Sequence, residues 1–228
     1  MRKLFLILLI SLIAMTICIQ PISASTSKPS SNPTIKTNVK TFNEFIPVGW
    51  KLNYKVQGDL NNDKLIDVAA VIEQDIKYSQ GDEIAPVRML IIAFKQKNNT
   101  YSLSYTSTKA TLKANEGGVF GDPFYEGLKY SNGSLLINFY GGSNDRWGLT
   151  YRFRFQNKGW YLIGATILAL NAGSGKETIN DYNLLTGKMI ISKGQEGGKL
   201  VQTAVSRGKK KLLNIKAFNP WVVAGKDY

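Results

Sequence analysis

The chain has 228 residues and is strongly basic, with 29 lysines and arginines against 16 aspartates and glutamates and a formal net charge of +13. It contains no histidine and a single cysteine, which excludes a Ser-His-Asp triad, histidine-ligated zinc or iron, and a disulfide within the chain. The charge favours anionic partners such as an envelope polymer, a lipid surface or nucleic acid. A lysine-rich surface that serves solubility alone is the commoner explanation.

The first 24 residues have the pattern of a secretory signal peptide. Arg2 and Lys3 precede an apolar stretch over residues 4–19, and Ala24 ends a short segment of the kind that signal peptidases cleave. The apolar stretch is short for a membrane-spanning helix of about 20 residues. Cleavage would also remove Cys18, the one cysteine. We therefore expect a secreted or periplasmic protein with no stable transmembrane segment after cleavage.

The composition changes twice after the predicted cleavage site. Residues 25–40 are rich in Ser, Thr, Pro and Lys and contain few apolar side chains, so we expect a flexible linker there. Residues 41–228 are expected to form a single β domain. Alternating apolar side chains in residues 52–56 indicate an early strand, and an apolar run at residues 89–94 predicts a central one.

The most specific chemical signal is an acidic loop directly before an apolar strand. Calcium takes about six to eight oxygen ligands from carboxylates, amides, backbone carbonyls and water. Five residues at alternate positions of the loop present such oxygens: Asp59, Asn61, Asp63, Leu65 (through its carbonyl) and Asp67. We predict that they bind one structural calcium ion. The alternative is a polar turn whose Asp and Asn side chains satisfy the backbone.

Two positions of this loop depart from the best-known calcium motif. The twelfth position, a bidentate glutamate in helix–loop–helix hands, is Ala70 here, and the residues around it favour a strand, which excludes that motif. The sixth position, usually glycine at a sharp turn, is Lys64. A non-glycine residue forced to a positive φ is strained by about 1 kcal/mol or more.

The loop and the strand that follows resemble the FG-GAP repeats of integrin-type β-propellers, in which D-x-[DN]-x-D-G-x-x-D runs into an apolar strand. The resemblance implies calcium binding by the same five residues. It covers one loop and one strand, and the spacing occurs once in the sequence. A complete propeller built of such repeats is therefore not implied.

The second half of the chain is organised as hairpins. Asn132-Gly133 is the strongest short hairpin signal, and residues 147–156 alternate between apolar and polar side chains. Further turns are expected at residues 157–159 and at Thr186-Gly187, and the basic turn at residues 207–211 is expected to join two strands. The whole pattern predicts an all-β antiparallel meander of about ten to twelve short strands, as a sandwich or propeller-like sheets.

A glycine-rich segment at residues 110–124 interrupts this rhythm. Such a segment is either a functional loop on a rigid scaffold or a long crossover between sheets. Residues 117–164 also resemble a segment of small secreted bacterial proteins, a resemblance that implies no activity.

Three acids lie around the glycine-rich loops: Asp122, Glu126 and Asp145. A pair of them would suit glycosidase-type acid/base catalysis if the fold held their carboxyl groups about 5–10 Å apart. Acids that cap turns are the ordinary alternative.

Two further groups of side chains suggest binding surfaces. Arg146, Arg152 and Arg154 share one face of a predicted strand and would suit a phosphate or carboxylate, unless that face is solvated or paired with acids. Aromatic side chains would suit a stacking platform, although such residues usually pack in the core or across strands: Tyr140, Trp147, Trp160, Tyr161 and Trp221.

We therefore expect an exported, non-enzymatic β domain with one structural calcium loop and a binding or scaffolding role at the cell envelope. The expected partner is an anionic envelope polymer or another envelope protein. No nucleic-acid partner is expected, and the chain is expected to be a monomer. The alternative is an Asp/Glu-dependent envelope or carbohydrate hydrolase.

Overall fold

The computed structural model describes residues 29–79, 82–124 and 126–225. Within these residues the chain forms twelve strands in two antiparallel sheets of five and seven strands, neither of which closes into a barrel. This confirms the predicted all-β class and the predicted number of strands. The signal peptide predicted for residues 1–24 lies outside the described residues.

The first sheet has the order β1-β5-β4-β3-β2. Its strands are β1 (Asn38–Val39), β2 (Trp50–Gly58), β3 (Asp67–Gln74), β4 (Arg88–Lys95) and β5 (Tyr101–Ser107). The apolar run predicted as a central strand is β4, which lies in the middle of this sheet. Its first six residues are all buried, because both faces of the sheet are covered.

The second sheet is a simple meander in which each strand pairs with the next along the chain, from β6 to β12. Its strands are β6 (Leu128–Ser131), β7 (Ser134–Gly142), β8 (Asp145–Gln156), β9 (Gly159–Asn171), β10 (Lys176–Asn183), β11 (Lys188–Gln195) and β12 (Val201–Ser206). The predicted turn residues do form its hairpins: Asn132 and Gly133 have φ of 47° and 69°, the left-handed pair that a two-residue hairpin needs.

The main core lies between the two sheets. It joins apolar side chains of β3 and β4 to those of β7, β8 and β9, with Tyr151 and Phe153 among the largest fully buried residues. The glycine-rich residues 110–124 lead from the first sheet to the second, as in the crossover alternative, and Phe124 enters this core. Residue 125 is not described.

A second core covers the outer face of the first sheet. Residues from the amino-terminal segment, including Ile35, Val39 and Trp50, pack there against β3 and β4. Val39 also pairs with Tyr101 as part of β1. Within the segment predicted as a linker (residues 25–40), the side chains of Ile35 and Val39 thus pack on this sheet.

Strand β5 contains an irregularity in its pairing with β4. Ile92 pairs with Tyr105 and Ala93 with Leu103, so one residue of β5 is unmatched at this point. Such a bulge turns the side chains on its two sides to different faces. Leu103 consequently packs in the second core and Tyr105 in the main core.

The carboxyl-terminal segment does not form the strand predicted after the basic turn. A 3₁₀ turn (Ile215–Ala217) and the short helix α1 (Pro220–Ala224) stand there instead. Asn219 caps α1 by accepting from two backbone N–H groups, and Ile215 and Phe218 enter the main core. The spacing of these two side chains suits a tight turn better than a strand.

Among the described residues, no helix is long and apolar enough to span a membrane.

Candidate functional site

The acidic loop between β2 and β3 is closed by its own side chains. Asp59 accepts hydrogen bonds from the amides of Asp63 (3.1 Å) and Lys64 (2.9 Å). The Asn61 side-chain oxygen accepts from the same Asp63 amide at 3.1 Å. Oxygens from the first and third positions of the loop therefore converge on one backbone N–H group.

The fifth position continues this pattern. Asp63 Oδ1 accepts from the amide of Leu65 at 2.8 Å, and its Oδ2 accepts from Asn61 Nδ2 at 3.0 Å. The chain turns sharply here, with φ of 64° at Asn62 and 71° at Lys64. The positive φ predicted for the sixth position is thus present, on a lysine rather than a glycine.

Asp67 has a different role from the other acids of the loop. Its side chain is fully buried, and its two oxygens accept from the amides of Leu60 (2.8 Å) and Lys95 (2.9 Å). Burial raises the pKa of Asp67 to about 6, although these two N–H groups act to lower it. The nearby charges of Asp63 and Asp59 add to the rise. Asp67 therefore anchors the loop to the end of β4, which the sequence spacing did not predict.

The loop fits a hard cation only with help from neutral oxygens. In the described parts of the chain, no three His, Cys, Asp or Glu side chains are grouped as a metal site. The side-chain oxygens of Asp59, Asn61 and Asp63 accept hydrogen bonds within the loop, and a cation would have to share them. The carbonyl of Leu65 would be a further ligand. Such a mixed, all-oxygen set suits calcium rather than a transition metal, with water completing the coordination.

The acid predicted at Asp122 belongs to a buried ion-pair network. Arg88 on β4 is 2 % exposed, and its Nη1 and Nη2 donate to the two oxygens of Asp122 at 2.7 and 2.6 Å. Its Nε donates to Glu73 at 2.8 Å. Burial acts to lower the pKa of Arg88, but the hydrogen bonds and charges of Asp122 and Glu73 outweigh it and raise that pKa. The network fastens the glycine-rich crossover to the first sheet.

The other two predicted acids have partners of their own. Glu126 forms an exposed ion pair with Lys129 at 2.6 Å. Asp145 accepts from Asn171 Nδ2 at 2.6 Å, which ties the start of β8 to the end of β9. Asp122, Glu126 and Asp145 are thus each engaged with a different residue, as acids that cap turns and loops are.

Two of the three predicted arginines lie together on the outer face of the second sheet. Arg152 and Arg154 on β8 point away from the core and are half-buried. In the described part of the chain, neither guanidinium has an ion pair or a side-chain hydrogen bond. Arg146 is six residues away, where it stacks over Phe120 at 5.3 Å.

The arginine pair lines a groove on this face of the sheet. The groove has a volume of about 340 Å³ and includes Thr150, Thr166 and Asp181 in its lining. Thr166 Oγ1 donates to Asp181 at 2.9 Å. A neighbouring groove of about 330 Å³ shares the two threonines and extends over Tyr140 and Leu168. The two grooves adjoin at Thr150 and Thr166.

The predicted aromatic platform is divided between the core and the surface. Trp160 is 2 % exposed and donates to Ser104 Oγ in the core, so a surface role for it is wrong. Trp147 and Trp221 meet edge to face, with ring centroids 4.7 Å apart. Phe120, which the sequence did not single out, stacks against Tyr140 at 5.4 Å. This cluster lies beside the glycine-rich crossover.

Comparison of the chain with protein-family models, with curated proteins and with solved structures finds no match. Its function is therefore inferred from its own residues.

Proposed function

We propose that this chain is an exported, non-catalytic β-sandwich module that binds at the cell envelope and holds one structural calcium ion in the loop at residues 59–67. The observation that carries the calcium assignment is the convergence of Asp59 and Asn61 oxygens on the Asp63 amide. This arrangement concentrates oxygens within one short turn. Export and the envelope location rest on the signal-peptide pattern of the sequence.

Calcium would act on the connection between β2 and β3. It would offset the repulsion between the carboxylates of Asp59 and Asp63, with the Asn61 amide and the Leu65 carbonyl as further ligands. Asp67 would stay an anchor, because its side chain is fully buried and joins Leu60 to the end of β4. A site with so few protein ligands belongs with the weak calcium sites of extracellular modules, whose dissociation constants are about 0.1–1 mM.

Thermal melting in calcium and in chelator tests this assignment. At a calcium concentration about ten times the dissociation constant, binding stabilises the folded state by about 1.4 kcal/mol. For a domain of this size that corresponds to a rise in Tm of about 3–6 °C. The variant Asp63→Ala should lose the response. Asp82→Ala should keep it, since Asp82 also accepts a backbone N–H, from Ser79, but lies in a different loop.

The same melting experiment can rule out the calcium site. If the melting temperature of wild type does not differ between calcium and chelator, and that of Asp63→Ala does not either, the loop is a polar turn closed by its own side chains. The binding module would then stand without a cation.

A non-catalytic role is supported by the partners of the three candidate acids. Asp122 is held by a buried arginine, and Glu126 and Asp145 are engaged with separate residues. Incubation with envelope glycans checks this part of the proposal. We expect no new reducing ends. Their release by wild type, together with its loss in Glu126→Gln, would favour the hydrolase alternative.

A further inference from the structure

The outer face of the second sheet carries two arginines in an arrangement that a purely structural role does not explain. Arg88, which is structural, is buried and held by two carboxylates. Arg152 and Arg154 are also withdrawn from water in part, yet in the described structure neither has a carboxylate partner. Partial burial of an unpaired guanidinium costs free energy, and an anionic ligand would recover it.

The backbone places the two guanidiniums in one groove. The residues are two apart on β8, so their Cα atoms are about 7 Å apart and their side chains share a face. Arg152 pairs across the sheet with Gly164 of β9. Because Gly164 has no side chain, the space beside Arg152 stays open, and Gly164 lines the groove.

The rest of the groove is suited to hydroxyl groups. Thr150 and Thr166 line its floor, and each hydroxyl already has an acceptor, Asn138 and Asp181 respectively. Their oxygens remain free to accept from a ligand. Asp181 contributes a negative charge to the same groove, which disfavours a bare anion and favours a ligand that presents hydroxyl donors as well.

We propose that Arg152 and Arg154 bind a phosphate or carboxylate group carried by a hydroxyl-rich chain, with hydroxyls of that chain on Thr150, Thr166 and Asp181. This rests on the proposed binding function and specifies its ligand class. Arginine binds such oxyanions in a two-pronged geometry. The neighbouring groove over Tyr140 and Leu168 adjoins this one at Thr150 and Thr166, so the same face has room for a polymer longer than one unit.

Isothermal titration with three polymers tests the proposal: poly(glycerol phosphate), polygalacturonate and neutral dextran. The first two distinguish phosphate from carboxylate as the recognised group. The double variant Arg152→Gln/Arg154→Gln should bind the recognised polymer at least tenfold more weakly, since one hydrogen bond to a charged group contributes about tenfold or more. The matched control is Arg207→Gln/Lys209→Gln, which removes the same charge from the exposed basic turn and should change the affinity less than twofold.

Three outcomes would overturn the proposal. Equal weakening in both double variants would show attraction by net charge alone. Binding of dextran as tight as that of the charged polymers would remove the role of the oxyanion. Absence of binding to all three polymers would reject this ligand class. None of these results affects the calcium response of the melting temperature or the test for reducing ends, so the proposed function is judged separately.

Discussion

Replacing Asp122 with alanine tests whether a single ion-pair network fastens the crossover to the first sheet. Arg88 lies at the start of β4, in the middle strand of that sheet, and its side chain is 2 % exposed. Asp122 approaches from the glycine-rich segment and takes both terminal nitrogens at 2.7 and 2.6 Å. In Asp122→Ala the guanidinium stays buried, and Glu73 is its one remaining carboxylate partner among the described residues.

The expected loss is about 3 kcal/mol in the free energy of unfolding. Each hydrogen bond to a charged group contributes about 1.5–3 kcal/mol, and removal of one partner from a buried ion pair costs about 3–5 kcal/mol. The Asp122 side chain is 43 % exposed, so water can reach its site and screening reduces the loss. The lower end of the range is therefore expected.

Urea unfolding followed by tryptophan fluorescence measures this loss. Asp82→Ala is the control, because Asp82 is an exposed loop acid that accepts from the backbone N–H of the exposed Ser79. Its loss should stay below about 1 kcal/mol. The double variant Arg88→Met/Asp122→Leu should lose less than the sum of its single changes, because each single change already breaks the same Arg88–Asp122 pair. If Asp122→Ala unfolds within about 0.5 kcal/mol of wild type, the network does not stabilise the crossover.

Local features of the fold could be read from the sequence because their causes are local. An Asn-Gly pair fixes a hairpin turn by its own backbone preference, and alternation in residues 147–156 reflects the pleat of one strand. The bulge in β5 is different, since it depends on how Ser104 is accommodated against β4. The same holds for residues 35–40, whose docking depends on an apolar surface formed elsewhere in the chain.

In the candidate sites, too, contacts between distant parts of the chain could not be predicted from the sequence. Arg88 and Asp122 are 34 residues apart, and an arginine at the start of an apolar run gives no signal of its partner. The acidic loop was located by its spacing, but one spacing serves two purposes: an Asp oxygen that can bind calcium can also accept a backbone N–H. Only the geometry separated Asp67, which anchors β4, from Asp59 and Asp63.

Two further predictions concern this loop. Lys64→Gly should stabilise the protein by about 1 kcal/mol in urea unfolding, because its φ of 71° strains a lysine and not a glycine; Asn62→Gly should gain less, since asparagine tolerates this region, and a larger gain there would contradict the strain argument. Asp67→Asn should remove the part of the pH dependence of folding stability that comes from Asp67. Burial raises the pKa of Asp67 from 3.8 to about 6, so between these values the folded state binds more protons than the unfolded state. In calcium-free buffer, the stability of wild type relative to Asp67→Asn should therefore fall by about 2 kcal/mol from pH 4 to pH 7. A difference that stays constant over this range in urea unfolding would mean that the Asp67 carboxylate is ionised throughout and is not destabilised by burial.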